Sequence, residues 1–189
     1  MIVDDHAGAA TAVFFTSTLA ATCDHNLTEH HTVGSTVSLV WKENKAETTV
    51  VARILLQNFA ILKSPTPRSF IAPWNGNPNE LLGRRNLALV FPITNGKLAY
   101  ARPCDVYTDP HRKYFTYSCV GYAGASGPAL LVMDGCLVGI HLGEANEPSD
   151  NCTRRIKGYA NEMKALYALV SRREERICLL ASVFKSAVQ

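Results

Sequence analysis

The sequence predicts an all-β fold of short antiparallel strands, arranged in two halves and followed by a helical tail. Short apolar runs rich in β-branched residues recur from Val13 to Leu142, divided by polar turns and with no helical period between them. A proline-rich stretch interrupts them midway, and from Tyr159 the apolar spacing changes to steps of three and four. Strands at this spacing without intervening helices point to an antiparallel barrel or sandwich rather than to βαβ units.

Taken in order, residues 9–22 read as two short strands meeting at Thr16 to Thr18, and they run into Cys23-Asp24-His25-Asn26-Leu27. Strands follow at 33–41, 48–56 and 59–62, with Lys42-Glu43-Asn44-Lys45 as a turn, so that 1–63 forms the first half. Residues 64–80 hold Ser64-Pro65-Thr66-Pro67 and Ala72-Pro73-Trp74-Asn75-Gly76-Asn77-Pro78 without periodic apolar positions, and are expected to be a linker. The second half, 81–157, carries strands at 87–91, 97–102, 114–120, 129–133 and 136–142, the last two joined by the hairpin turn Asp134-Gly135. In the tail, 158–189, one helical stripe joins Tyr159, Met163, Leu166, Tyr167 and Val170, bends near Ser171-Arg172, and continues through Ile177, Leu180 and Phe184. The expectation is an amphipathic helix docked on the strands, with surplus apolar positions after Ile177 for self-association or a partner.

Composition narrows the function classes. A chain of 189 residues with 47% apolar content can fill such a core, and a net charge of +3 is mild. The densest basic cluster, Arg172-Arg173 with Arg176, is interleaved with Glu174 and Glu175 and reads as a solvated helix face, so no nucleic-acid partner is expected. No run approaches the roughly eighteen apolar residues of a membrane span. The start, Met1-Ile2-Val3-Asp4-Asp5-His6, lacks the pattern of a signal peptide, which leads us to expect a cytoplasmic or nuclear protein. Six cysteines (Cys23, Cys104, Cys119, Cys136, Cys152, Cys178) show no C-x-x-C spacing, so they read as reduced thiols rather than zinc ligands or a disulfide framework. No metal or other cofactor is expected.

Chemistry concentrates at Gly121-Tyr122-Ala123-Gly124-Ala125-Ser126-Gly127-Pro128, ahead of the apolar run Ala129-Leu130-Leu131-Val132. Small residues let the backbone bend so that the Gly124 and Ser126 amides converge on one point, as an oxyanion hole requires. The same composition also suits a plain tight loop. Thr22-Cys23-Asp24-His25 supplies a histidine at a strand end, and Asn58-Phe59-Ala60-Ile61-Leu62-Lys63 an asparagine ahead of an apolar run.

In the order His25, Asn58, Ser126, with Leu82-Gly83, Asn86-Leu87-Ala88-Leu89-Val90, Pro92 and Leu137-Val138-Gly139-Ile140-His141, these segments resemble the chymotrypsin-fold serine peptidases, specifically the Deg/HtrA-like branch without a PDZ module. The resemblance runs from about Val13 to about Gly143 and implies one trypsin-like domain of two packed antiparallel β-barrels. It implies Ser126 as nucleophile, His25 as base, the Gly124 and Ser126 amides as oxyanion hole, a peptide or protein substrate, and no cofactor. Val120, Val138, Ile140 and His141 fall where that family binds substrate. His141 is similar to the histidine of the first specificity pocket in viral 3C-like peptidases. Those enzymes place a threonine where this chain has Gly121, so glutamine specificity is not implied and a structural role for His141 is preferred.

There are two departures. Ala125 stands where zymogen-activated trypsins carry an acid. Asn58 stands where the family has aspartate, and an amide cannot stabilise the imidazolium and can hold the wrong tautomer. Glu47 is the best substitute acid; Asn86 is another amide, and His30 and His31 rank below His25 as the base. Asn58 therefore sets a second reading beside the endopeptidase: a pseudoprotease that grips an extended peptide without cutting it.

Overall fold

Alternating burial marks the longest strand of the first half. The computed structural model describes residues 2–3, 10–81, 87–93, 97–102, 104–109, 114–120, 130–144 and 155–172. Its first sheet holds β1 (Ile2–Val3), β2 (Val13–Phe14), β3 (Leu19–Thr22), β4 (Thr36–Trp41), β5 (Asn44–Ile54) and β6 (Phe59–Lys63), in the antiparallel order β1-β4-β5-β6-β3-β2. Along β5, Ala46, Thr48, Val50 and Ala52 are buried while Lys45, Glu47, Thr49 and Val51 face solvent, the period-two pattern of a half-buried strand. The β4–β5 hairpin turns at Lys42, whose φ of 55° lies in the left-handed region that such turns use.

The second sheet holds β7 (Leu87–Ile93), β8 (Lys97–Ala101), β9 (Cys104–Asp109), β10 (Tyr114–Val120), β11 (Leu130–Met133), β12 (Cys136–Glu144) and β13 (Arg155–Glu162), in the antiparallel order β8-β7-β11-β12-β13-β10-β9. The molecule is thus mostly β, as expected. Two closed barrels are not what the pairing gives: among the described residues β1 and β2 end one sheet and β8 and β9 the other, whereas closure requires the ends to pair.

The tail corrects the expectation of a helix from Tyr159. Tyr159 lies within β13, held on one side by β10 and on the other by β12, and the helix α1 covers 163–172. Pairing with strands far away in sequence outweighs the local helical spacing of Tyr159 and Met163. Of the expected stripe, Met163, Leu166 and Val170 are buried in α1 and Tyr167 is 43% exposed, while Ile177, Leu180 and Phe184 lie outside the described residues. The three buried residues join Phe15, Leu19, Phe59, Ile61, Leu137, Ile140 and Leu142 in a cluster that seals the seam between the halves. Each fully buried side chain of this kind contributes about 2 kcal/mol. Separate clusters fill the two sheets, around Val37, Leu39, Val50 and Leu62 in the first and around Leu89, Phe115, Tyr117 and Met133 in the second.

The connection between the halves is hydrogen-bonded to strands of both. Ile71 N–H donates to Phe14 O, Trp74 N–H to Leu137 O and Leu137 N–H to Ala72 O, each at 2.9 Å. Among the described residues no helix is long and apolar enough to cross a membrane.

Candidate active site

The site is built from a three-residue turn that has little stability of its own. Asp24–Asn26 form a single 3-10 turn at the end of β3, and so short a helix needs side-chain support. Thr22 supplies some: its hydroxyl donates to Thr11 O at 2.8 Å and accepts from Asn26 Nδ2 at 3.0 Å. Arg53 supplies more. Its Nε and Nη2 grip Asp24 at 2.6 and 2.9 Å, and Nη1 donates to Thr28 O and His31 O, both at 3.0 Å. The hydrogen bond to Asp24 holds the Arg53 pKa above its ordinary value. Asp24, although next to His25 in sequence, is therefore engaged with Arg53 rather than with the histidine.

This turn leaves the His25 ring exposed and aims its Nδ1 at Asn58. Asn58 is fixed by the neighbouring 3-10 turn Leu55–Gln57: its N–H donates to Leu55 O at 3.0 Å and its φ of 49° is left-handed, a conformation asparagine tolerates better than most residues. The Asn58 Oδ1 accepts the His25 backbone N–H at 3.0 Å and lies 3.0 Å from Nδ1, while Asn58 Nδ2 lies 2.8 Å from Nδ1. The structure thus brings His25 and Asn58 together. Glu47 is elsewhere, exposed on β5 and paired with Lys45 at 3.1 Å, so the substitute-acid expectation is not supported. His31 receives Thr28 N–H at Nδ1 (3.1 Å) and braces its own loop, and His30 is exposed in that loop.

Across the seam lies His141, on β12. Cys23 Sγ donates to His141 O at 3.2 Å, which sets the strand beside the His25 turn. Burial pushes the Cys23 thiol up to about 12, helped by nearby Asp24, so it stays a neutral donor. His141 Nδ1 is hydrogen-bonded to the Tyr117 hydroxyl, whose ring comes from β10. Burial, and secondarily the charge of nearby His25, lower the His141 pKa from 6.5 to about 4. At neutral pH His141 is therefore an uncharged imidazole. Tyr117 was not singled out from the sequence; it is a core residue of β10, and only the third dimension gives its hydroxyl the His141 partner.

Of the remaining candidates, Val138 and Ile140 are each 2% exposed and belong to two different core clusters, so their side chains serve packing. What β12 offers a ligand is backbone. Leu130 at the start of β11 pairs with Ile140, and residues 141–144 run past it, paired with β13 on their other edge. Val120 closes β10 opposite Arg155. Gly124, Ser126 and Asn86 lie outside the described residues, the first two after the end of β10 and the third just before the start of β7. No group of residues suited to holding a metal ion occurs among the described residues.

The sequence matches no protein-family model and no curated protein sequence. The fold, by contrast, is shared with solved structures. The chain is similar to the Rv3671c protease of M. tuberculosis in its active form, with a TM-score of 0.62 and 16% identity over 87% of this chain and 73% of that one. The inactive form of the same protease gives 0.61 and 14%, over 87% and 83%. A serine protease of human pathogenic astrovirus gives 0.57 and 14%, over 85% and 86%. The chain therefore has the fold of trypsin-like serine proteases.

Proposed function

We propose that this chain is a serine endopeptidase of the trypsin-like type whose turnover is held down by Asn58, acting on an extended peptide or protein substrate. Its motifs at Thr22-Cys23-Asp24-His25 and Gly124-Ala125-Ser126-Gly127-Pro128 favour a relationship to the Deg/HtrA-like branch. Ser126 attacks the scissile carbonyl, His25 Nε2 takes its proton, and the amides of Gly124 and Ser126 stabilise the oxyanion. The substrate lies beside residues 141–144, whose edge beyond β11 can accept it as an added strand. Neutral His141, accepting from the Tyr117 hydroxyl at Nδ1, keeps its Nε2–H as a donor for a side-chain carbonyl of the substrate.

The observation that carries this reading is the Asn58 amide against His25. Two tautomers compete there. If Nδ1–H donates to Oδ1, Nε2 is free to act as base; if Nδ2–H donates to Nδ1, Nε2 carries the proton and cannot. A carboxylate would accept at both places and leave only the productive tautomer, and would stabilise the imidazolium as well. The short contact from Nδ2 favours the second reading, a peptide-binding pseudoprotease, to the extent that the unproductive form prevails.

Labelling with a fluorophosphonate separates them. For the endopeptidase we expect slow labelling that is absent in Ser126→Ala and faster by up to about four orders of magnitude in Asn58→Asp. Absence of labelling in both this chain and Asn58→Asp would leave the peptide-binding module.

A further inference from the structure

A second recess contains none of His25, Asn58, Tyr117 and His141. It lies where the β2 edge, the β4–β5 hairpin and the connection between the halves meet β7 and β8, and it encloses about 790 Å³. Phe14, Trp41, Phe70, Val90 and Leu98 give it an apolar lining, and Arg68 stands among them. Phe70 is 51% and Leu98 62% exposed, so the recess is an open groove with an apolar rim. Small-molecule sites enclose most of their ligand; an open apolar trough of this kind fits a polypeptide segment.

Arg68 defines the chemistry of that segment. Its backbone N–H is satisfied by Ser17 O at 2.7 Å. Its guanidinium has no hydrogen bond or ion pair among the described residues, and the Nε is buried without a partner. A buried donor on a permanent cation is costly to leave unmatched, and a planar guanidinium is matched best by a carboxylate, which accepts two parallel bonds. Asp134 borders the groove but forms no ion pair with it. Trp and Arg are also among the residue types that dominate binding hot spots.

We propose that this groove is a docking site for a partner polypeptide segment in which bulky apolar side chains flank one aspartate or glutamate, the carboxylate pairing with Arg68. The site is independent of the peptidase reading and operates whether or not Ser126 is active.

A random-peptide phage library selected on the full chain, with counter-selection on Phe70→Glu, tests this. The expected outcome is enrichment of peptides carrying an acidic residue between bulky apolar ones. They should still bind His25→Ala, which separates the groove from the catalytic cleft. Exchanging the acid for its amide in a selected peptide should weaken binding about tenfold or more, and on Arg68→Met that exchange should make no difference. The amide exchange needs no protein variant, so it decides the matter even if Arg68→Met fails to fold. Three results would overturn the proposal: no enrichment over the Phe70→Glu counter-selection, indifference of the selected peptides to the amide exchange, or self-association of the chain that Phe70→Glu abolishes. In the last case the occupant is a second copy.

Discussion

His141 illustrates how a single residue changes character between the unfolded and folded chain. Burial and the neighbouring His25 bring its pKa from 6.5 to about 4. Between those values the unfolded chain holds a proton that the folded chain does not. Stability therefore rises with pH across that window, by about 1.4 kcal/mol per pH unit for this one group. The contribution is complete above about 6.5 and is lost as pH falls toward about 4. Urea unfolding followed through this range is expected to show that slope in the wild type and a flatter one in His141→Gln; equal slopes would mean that His141 does not titrate as the seam requires. At this scale the resemblance to the chymotrypsin-fold peptidases, carried by the strand-end histidine and the apolar run after Asn58, implied His25 and Asn58 as neighbours. The sequence did not indicate Tyr117, because a tyrosine inside a strand carries no mark of the hydrogen bond it will make.

At the scale of elements, the turn that carries His25 depends on β5 more than on itself. Arg53 joins Asp24 to the carbonyls of Thr28 and His31 and so closes the loop that carries His25. The pair is largely shielded, with 19% and 10% side-chain exposure, so removing the cation strands a buried carboxylate. Arg53→Met is expected to lower unfolding stability by about 3 kcal/mol, measured by denaturant titration, and to slow any Ser126 labelling. Arg53→Lys restores charge but not the two-pronged grip, and should recover only part of the loss. A full recovery would show that charge alone matters. The strand elements were mostly legible because alternation is a local signal. β13 was not: Tyr159 and Met163 share a helical spacing, yet β10 and β12 claim everything before residue 163.

Across the whole molecule, a buried amide joins the Cys23–His141 bond in tying the two halves together at the site. Asn161, 4% exposed at the end of β13, donates Nδ2–H to Gln57 O at 2.7 Å, in the turn that presents Asn58. Gly139 permits this fit: a Cβ there would lie 2.3 Å from the Asn161 carbonyl oxygen. Asn161→Ala leaves the Gln57 carbonyl unmatched and should cost about 1–3 kcal/mol. It should also speed hydrogen exchange at His25 N–H and Asn58 N–H, since the Leu55–Gln57 turn loses its anchor. If exchange there stays unchanged while stability falls, the amide supports the seam without positioning the site.

The sequence by itself determined the β-rich class, the break between two halves and the apolar stripe at the start of α1, whereas His25 and Asn58 were set side by side only by the resemblance to a known family. The first three follow from period, turn chemistry and residue type, all of which are local. Tertiary structure decided the rest. It drew 155–162 into the second sheet, turned Asp24 toward Arg53, placed Val138 and Ile140 in the core, and set Tyr117 against His141. Each of these depends on which distant groups meet at a buried seam, where an unmatched charge or donor is costly and its partner is supplied by another part of the chain.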